Sequence, residues 1–478
     1  MSEQRELGEY EGIEKNDIQD IEDQDESIAL ETGFEGFKKP NGEAKIIRAS
    51  WAGAVLPDGW STNVVGDHVE VQGGKAFSSD NFSKQTNEGL PLVKRKTVNN
   101  DTYPETRITK DVEGRYIVQD GDVLVSMDRY FECILWSYGD AGLNQRVCRL
   151  TPTSEFNKYY LMYALQKPLT YLEDLGGTTD FTSLSINEFD NIEIPTPPIP
   201  EQEKIATVLH NVDELYDKNQ EIIEQAKSTK RALIEKLLTL GIDHKSYKPF
   251  EIGPREYEIP EGWKIVTFGD IFDTHRGVNY SSDNYVESPE EGMLFLTLNA
   301  ISPGGGIKRG GLKYYDDEVK DKKIASHNDI LIANTDLNQD GKIIGYPVSV
   351  PDFDGQVSFS HHLLKLSQTD DVFRQDFLKH LLSAEYIHKR MKDISCGSTV
   401  LNLDTSLLQK IPLPVPPKSE QQEIANILEE CDNLIENHED RQNNLNNIKN
   451  GLMQDLLTGT VRTTDTNIQV PDEIAQHG

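Results

Sequence analysis

The chain has 478 residues, more than one usual domain, so two to four domains of about 100–200 residues each are expected. Its 48 basic residues are outnumbered by 81 acidic ones, a net charge of −33 at pH 7, and charge alone argues against nucleic-acid binding because phosphate affinity rests largely on Lys and Arg. No apolar run approaches the roughly 18 residues of a membrane span, the N-terminus is acidic rather than a basic and apolar leader, and Cys133, Cys148, Cys396 and Cys431 are scattered without a C-x-x-C pair; the expectation is a soluble, cytoplasmic chain with reduced thiols and no metal site.

Residues 1–45 form an acidic tail (EYEGIEKNDIQDIEDQDES) without apolar periodicity, expected to be disordered. Its first 40 residues hold 13 acidic and 4 basic groups, so −9 of the charge sits there and −24 is spread over folded parts. An acidic surface of that kind suits a very salty cytoplasm, although ordinary acidic proteins share it. Residues 46–194 read as mixed α and β: β-branched and aromatic runs such as RYIVQ and DVLVSM lie between turn residues, and the helical pattern EFNKYYLMYALQ follows. Residues 195–242 are a Pro-rich connector and a long helix. Residues 243–413 repeat the mixed pattern, with DILIAN and LLKLS as strands and VFRQDFLKHLLSAEYIHKRM as helix. A second connector and helix occupy 414–461, and 462–478 form a C-terminal tail.

This order is an internal duplication. PTPPIPEQEKIATVL, from Pro195, and PVPPKSEQQEIANIL, from Pro414, share eight of fifteen positions, and sliding Ile192–Ile242 by 219 residues gives Ile411–Val461 with 16 of 51 identical. Upstream, LPDGW from Leu56 matches IPEGW from Ile259, each followed by a Gly-Asp and an SSDN run, at an offset of 203. The second copy is thus about 16 residues longer between these anchors. Prolines at 195, 197, 198 and 200, and at 412, 414, 416 and 417, hold each connector extended and stiff, and Glu201 and Glu420 open the helices where negative charge suits the dipole.

Each helix carries a seam in alternating steps of three and four. One runs through Ile205, Val208, Val212, Leu215, Asn219, Ile222, Ala226, Thr229 and Leu233, the other through Ile424, Ile427, Cys431, Leu434, His438, Arg441, Leu445, Ile448 and Leu452. Such heptads over about four turns of the repeat predict a coiled coil, with Asn219 and His438 as one polar layer that fixes register. Two amphipathic helices, each packed on its own domain, are the alternative.

Catalytic signatures are missing. Gly73-Gly74-Lys75 lacks phosphate-loop spacing, and no G-x-S-x-G elbow exists. Thr196-Pro197-Pro198-Ile199 and Val415-Pro416-Pro417-Lys418 have neither the polar first residue nor the aromatic last residue of a DNA amino-methyltransferase motif. Glu318-Val319-Lys320 is a common acidic-x-basic triplet, and His361-His362 reads as a solvated or capped pair sooner than a metal site.

Tandem domains, each opened by L/I-P-x-G-W and each ending in P-x-P-P-x-x-E-Q-x-x-I-A before a long helix, resemble the specificity (S) subunit of type I restriction-modification enzymes over residues 46–461. Gly397-Ser398-Thr399, and more loosely Gly177-Thr178-Thr179, fit the small polar turn that the family carries before the connector. The resemblance implies an α+β chain: two tandem mixed α/β target-recognition domains, separated by long helices that pair as an antiparallel coiled coil. Each domain would read one half of a split site in double-stranded DNA, and the helices would set the spacer. Two methyltransferase (modification) subunits would dock, joined by restriction (translocase-nuclease) subunits; S-adenosylmethionine, ATP and Mg would belong to those partners, with no cofactor and no catalysis in this chain.

The candidate DNA contacts are Lys94, Arg95, Lys96, Arg107 and Lys110 in the first domain, and Arg276, Lys308, Arg309, Lys322, Lys323, Ser398 and Thr399 in the second. GGGIKRGGLKYY, from Gly304, is either a close backbone approach to DNA or a solvated hairpin loop. The competing function is a coiled-coil adaptor with two ligand-binding modules.

Overall fold

The computed structural model describes residues 47–48, 56–85, 88–175, 183–302, 306–353 and 356–475. The acidic tail, Gly177-Thr178-Thr179 and Gly304 lie outside that range. Five helices of nine residues or more occur among the described residues: α1 (Lys158–Leu175), α2 (Ile199–Leu240), α3 (Gln375–Ser383), α4 (Glu385–Asp393) and α5 (Lys418–Leu457). Contacts divide the chain into two units, residues up to 218 with 442 onward, and 219–441, so the division passes through α2 and α5.

Strands arise where aliphatic residues run between turn formers. In unit 1, β1 (Val123–Ser126, VLVS) buries all four side chains, as an interior strand must. It lies in a four-stranded antiparallel sheet between Val147–Pro152 and Cys133–Leu135, with Val69–Gly73 on the far side of Val147–Pro152. A five-stranded sheet follows in the order Phe82–Ser83, Arg107–Ile108, Leu90–Val93, Ala141–Leu143, Ile117–Val118, with one parallel pairing, Gly142 beside Leu92.

Unit 2 repeats both sheets. Its interior strand β2 (Ile330–Ala333, ILIA) is again wholly buried, flanked by Leu363–Gln368 and Pro347–Ser349, with Phe272–Arg276 beyond. The two sheets of each unit meet at an equivalent glycine. A Cβ on Gly74 would lie 2.1 Å from Asn144 O, and one on Gly277 2.1 Å from Phe359 O, so no larger residue fits either crossing.

The connectors are partly strands. Ile192–Thr196 pairs antiparallel with Ser61–Val64, Pro195 opposite Thr62, and Pro412–Val415 pairs with Lys264–Thr267, Pro414 opposite Ile265. Pro200 does not bar helix as its residue type alone suggests. It sits in the first turn of α2, where the missing N–H would have had no partner.

Each core collects its sheet, its domain helix and one end of each long helix. Unit 1 packs Val125, Leu150, Tyr160 and Leu165 against Ile205, Leu209, Leu456 and Leu457. Unit 2 packs Ile332, Leu364, Phe377 and Ile387 against Leu237, Leu238, Ile424 and Leu428. Residues after α5 join the first core. Ile474 is fully buried, its carbonyl accepts from Asn157 Nδ2 at 2.7 Å, and Lys204 Nζ donates to the carbonyls of Thr463, Thr464 and Thr466.

Candidate nucleic-acid interface

The repeated Glu-Gln pair is the keystone of each unit. In unit 1, Glu201 is buried and its Oε2 accepts from Trp60 Nε1 at 2.9 Å, while Arg462 donates through Nε at 2.7 Å and Nη2 at 2.8 Å. In unit 2, Glu420 Oε2 accepts from Trp263 Nε1 at 3.0 Å, and its Oε1 meets His244 Nε2 at 2.8 Å and the Ile242 N–H at 3.0 Å. The Trp of each L/I-P-x-G-W element, the start of one long helix and the residues beyond the end of the other thus converge on one carboxylate. Burial pushes the Glu201 pKa up, but the hydrogen bonds from Arg462 and Trp60 outweigh it and hold the group below the usual glutamate range.

The neighbouring glutamines need both ends of their amides. Gln202 accepts from the Asn157 N–H and donates to Glu155 O and Pro197 O; Gln421 accepts from the Arg374 N–H and donates to Val372 O and Pro416 O. Both are fully buried. Each locks connector, long helix and domain helix together, a task no apolar residue of that size can perform.

The long helices pair antiparallel within each unit. In unit 1, Asp213 binds Lys449 at 2.7 Å, and in unit 2 the equivalent Asp432 binds Lys230. Ile205, Val212, Asn219, Ala226, Ile424 and Leu445 are buried as expected, and Val208, Leu233, Ile427, Cys431, His438 and Leu452 are partly so. Six expected seam residues are not: Thr229 and Arg441 are exposed, and so are the apolar Leu215, Ile222, Leu434 and Ile448, at 45, 42, 47 and 51 %.

The phase of the steps is the reason. The buried and half-buried positions run through Leu209, Val212, Tyr216, Asn219, Ile223 and Ala226, and in α5 through Leu428, Cys431, Ile435, His438, Gln442 and Leu445, so that from Val212 and Cys431 the step is four and then three where the expected seam had three and then four. Ile222/Ile223 and Leu434/Ile435 are adjacent apolar pairs that satisfy either phase. The facing helix, not the helix's own pattern, selects between them.

The expected DNA contacts separate into spent and free groups. Lys94 Nζ donates to Thr106 Oγ1 at 3.0 Å and lies 4.3 Å over the Phe82 ring; burial, with Lys84 nearby, lowers its pKa. Arg107 uses its guanidinium on Glu88 O, Gly89 O and Tyr103 Oη. Both are structural in this arrangement. Arg95 and Lys323 are half-buried, whereas Lys96, Lys110, Lys308 and Lys322 are exposed, and the Arg309 side chain lies outside the described set. Arg276 is exposed and steered by one bond from Nε to His361 O at 3.0 Å. Ser398 and Thr399 are exposed on a turn whose Gly397 has φ +135°. That turn joins Ser395–Cys396 to Leu401–Leu403, and the latter pairs with Thr335–Asp336 just beyond β2.

The loops that leave β1 and β2 were missed by sequence reasoning. In unit 1, Met127 N donates to Arg146 O at 2.9 Å; in unit 2, Asn334 N donates to His362 O at 2.7 Å, the equivalent bond. The loops then differ: residues 127–132 separate β1 from its neighbour, but 334–346 separate β2 from its own. Much of the second copy's extra length is spent there. Arg129 and Arg146 are exposed beside the first loop, and no ion pair to either guanidinium occurs among the described residues. Beside the second, the rings of His361 and His362 lie in tilted contact with centroids 4.0 Å apart, and His362 Nδ1 meets Thr335 Oγ1 at 2.7 Å. Burial, then His361 and Arg276, lower the pKa of His362. The signal was available: GDVLVS and NDILIA are equivalent strands, so the residues after them are equivalent too.

The family model described as the type I restriction modification DNA specificity domain matches residues 57–228 and again 260–447. The chain belongs to the type I restriction-modification DNA specificity family. It is 25 % identical over 432 residues to the type I restriction enzyme MjaVIII specificity subunit of Methanocaldococcus jannaschii, covering 87 % of this chain and 96 % of that protein. To the EcoBI specificity subunit of Escherichia coli it is 25 % identical over 438 residues, covering 88 % and 90 %. Its fold resembles the crystal structure of the type I restriction-modification system S subunit from M. genitalium, with a TM-score of 0.54 at 17 % identity over 88 % of this chain and 98 % of that one.

As a DNA specificity chain it carries two recognition domains, each built on the same pair of sheets and clamped by the same Glu-Gln device. Among the described residues no group of three or more His, Cys, Asp or Glu side chains is placed to hold a metal ion, and no helix is long and apolar enough to cross a membrane.

Proposed function

We propose that this chain is the sequence-reading subunit of a type I restriction-modification complex, that each unit reads one half of a bipartite DNA site, and that the paired helices set the spacer and dock methyltransferase subunits. The observation that carries this reading is the duplication: two copies of one sheet-and-helix reader, joined through two continuous helices of 42 and 40 residues. Rigid elements are what base reading requires, since a contact displaced by an ångström is lost. Exposed apolar positions on the helices supply the docking surface, Leu215 and Ile448 in unit 1 and Ile222 and Leu434 in unit 2. The equivalence of Leu215 and Leu434 supports two methyltransferase subunits, one per copy. Methyl donor, ATP and Mg belong to the methyltransferase and restriction partners. The acidic total does not oppose DNA binding, because a reading face needs only local cations, such as the exposed Arg129, Arg146 and Arg276.

The test is domain exchange. Residues 46–190 are replaced by the equivalent domain of a relative, the chain is co-expressed with its methyltransferase, and methylated sites are mapped. One half of the site should change and the other should stay. A change in both halves, or turnover by the chain without partners, would reject the reading.

A further inference from the structure

The two most exposed large apolar side chains among the described residues are Tyr130, at 63 %, and Leu337, at 58 %. They occupy the same place in the two units, four residues beyond the end of the buried interior strands β1 and β2. An isolated exposed leucine on a surface needs no explanation, but two maxima at repeat-equivalent loop tips do.

Neither tip is slack. In unit 1, Ser126 Oγ donates to Tyr130 O, the Phe131 N–H donates to Glu173, and Leu184 N donates to Met127 O at 3.0 Å. Arg129 takes φ +69°, a left-handed conformation that the surrounding bonds maintain. In unit 2, Asp336, which is buried, accepts from Asn338 N and Ile343 N, both at 2.8 Å, and so closes the loop around Leu337 from beneath. Asn334 Oδ1 at the root of this loop, and Ser360 Oγ and His361 Nδ1 in the segment bonded to that root through His362 O, are buried with no hydrogen-bond partner among the described residues. Three such groups in one place are costly in a fold that needs only itself, and concentrate where a ligand is to be met.

We propose that these two loops enter the DNA groove and that Tyr130 and Leu337 touch bases through their apolar surface, Tyr130 in one half-site and Leu337 in the other. This rests on the reading given under Proposed function. The chemistry recognised is the apolar edge of a base, the thymine methyl above all, which side chains of this kind distinguish from cytosine and guanine. Flanking cations hold the backbone: Arg129 and Arg146 beside Tyr130, and Arg276 beside the second loop. The copies differ in loop length and in tip residue while sharing the strands beneath, as two readers of different sequences on one scaffold should.

The experiment uses the full chain with its methyltransferase partner and maps methylated sites across genomic DNA. For Tyr130→Ser and Leu337→Ser, methylation of the wild-type site should fall about ten-fold or more, with one half-site relaxed in each variant and the other half retained. Tyr130→Phe and Leu337→Met keep the apolar body and should keep the wild-type pattern. Co-purification with the methyltransferase shows that each variant is folded. If the wild-type complex reads a bipartite site and the serine variants match it in sequence and extent, the loops do not read and this proposal is wrong. If Phe and Met behave as Ser does, the contact is not apolar and the proposal also fails. A wild-type complex with no bipartite site would remove the functional reading itself, and this inference with it.

Discussion

Asn219 and His438, equivalent positions 219 residues apart, face each other across the helix pair: Asn219 Nδ2 donates to His438 O at 2.8 Å, and His438 Nδ1 lies 2.7 Å from Asn219 Oδ1. Both residues lie in unit 2, where a helix of one copy pairs antiparallel with the helix of the other. Asp213–Lys449 in unit 1 and Lys230–Asp432 in unit 2 are likewise one pair of equivalent positions with the partners exchanged.

Breaking one side of this layer should therefore cost more than replacing both. Asn219→Leu leaves the His438 ring nitrogen facing an apolar group and should destabilise the chain by about 1–3 kcal/mol in urea unfolding. The double change Asn219→Leu with His438→Leu should recover most of that loss, because the layer becomes apolar. Simple additivity of the two single changes would show that the layer does not act as a pair.

The Glu201 clamp makes unit 1 sensitive to acid. Its folded pKa lies below the unfolded value, so the stabilisation is complete above the unfolded glutamate pKa of about 4.3 and fades as pH falls through the folded one. Glu201→Gln should lower the melting temperature at pH 7, and the gap to wild type should close below about pH 4. Arg462→Ala, which strands the carboxylate beside Trp60, should cost about 3 kcal/mol. A gap that stays constant down to pH 3 would contradict this account.

His380 in α3 adds to the acid sensitivity of unit 2, through a ring held neutral instead of a carboxylate held charged. It is buried, its Nε2 has no partner among the described residues, and desolvation, aided by Lys379 and Lys230, drives its pKa well below the ordinary value. Unfolding lets the ring take a proton, so stability should fall as pH drops below the unfolded histidine value of about 6.5. His380→Leu should flatten the decline between about pH 6.5 and 5, read from unfolding curves at each pH. An unchanged slope would assign the acid sensitivity elsewhere.

The helices can be tested as a ruler. Leu238 is fully buried and its carbonyl accepts from Tyr386 Oη at 2.9 Å, so an insertion there would disturb the second core. Adding one heptad to each helix, after Gln220 and after Glu439, preserves the seam and lengthens the pair by about 10.5 Å. At about 3.4 Å per base pair, the spacer should grow by about three base pairs with both half-sites unchanged. Methylation mapping that finds the original spacer would show that the helices do not set the distance.

Much of this was legible because repetition and periodicity are properties of the chain itself. The two anchors, the strand pairs DVLVSM and DILIAN, the long helices and the polar pair Asn219 and His438 follow from spacing alone, since a 3.6-residue period and a 219-residue shift exist before any contact forms. Glu201 was visible only as a helix-opening charge. Its partners, Trp60 and Arg462, lie 141 positions before it and 261 after it, and only folding brings them together. The seam's phase was undecided for the same reason. Leu215 and Ile223 each suit burial, and the choice belongs to the facing helix. Lys94 and Arg107 carry the charge of DNA contacts, but Thr106, Phe82 and the carbonyls of Glu88 and Gly89 hold them in place, a fate set by neighbours. Tyr130 and Leu337, which the chain presents as ordinary apolar residues after a strand, are left in solvent by the tertiary structure. Residue type establishes what a side chain can do; its three-dimensional surroundings decide whether that capacity is spent inside the fold or offered to a partner.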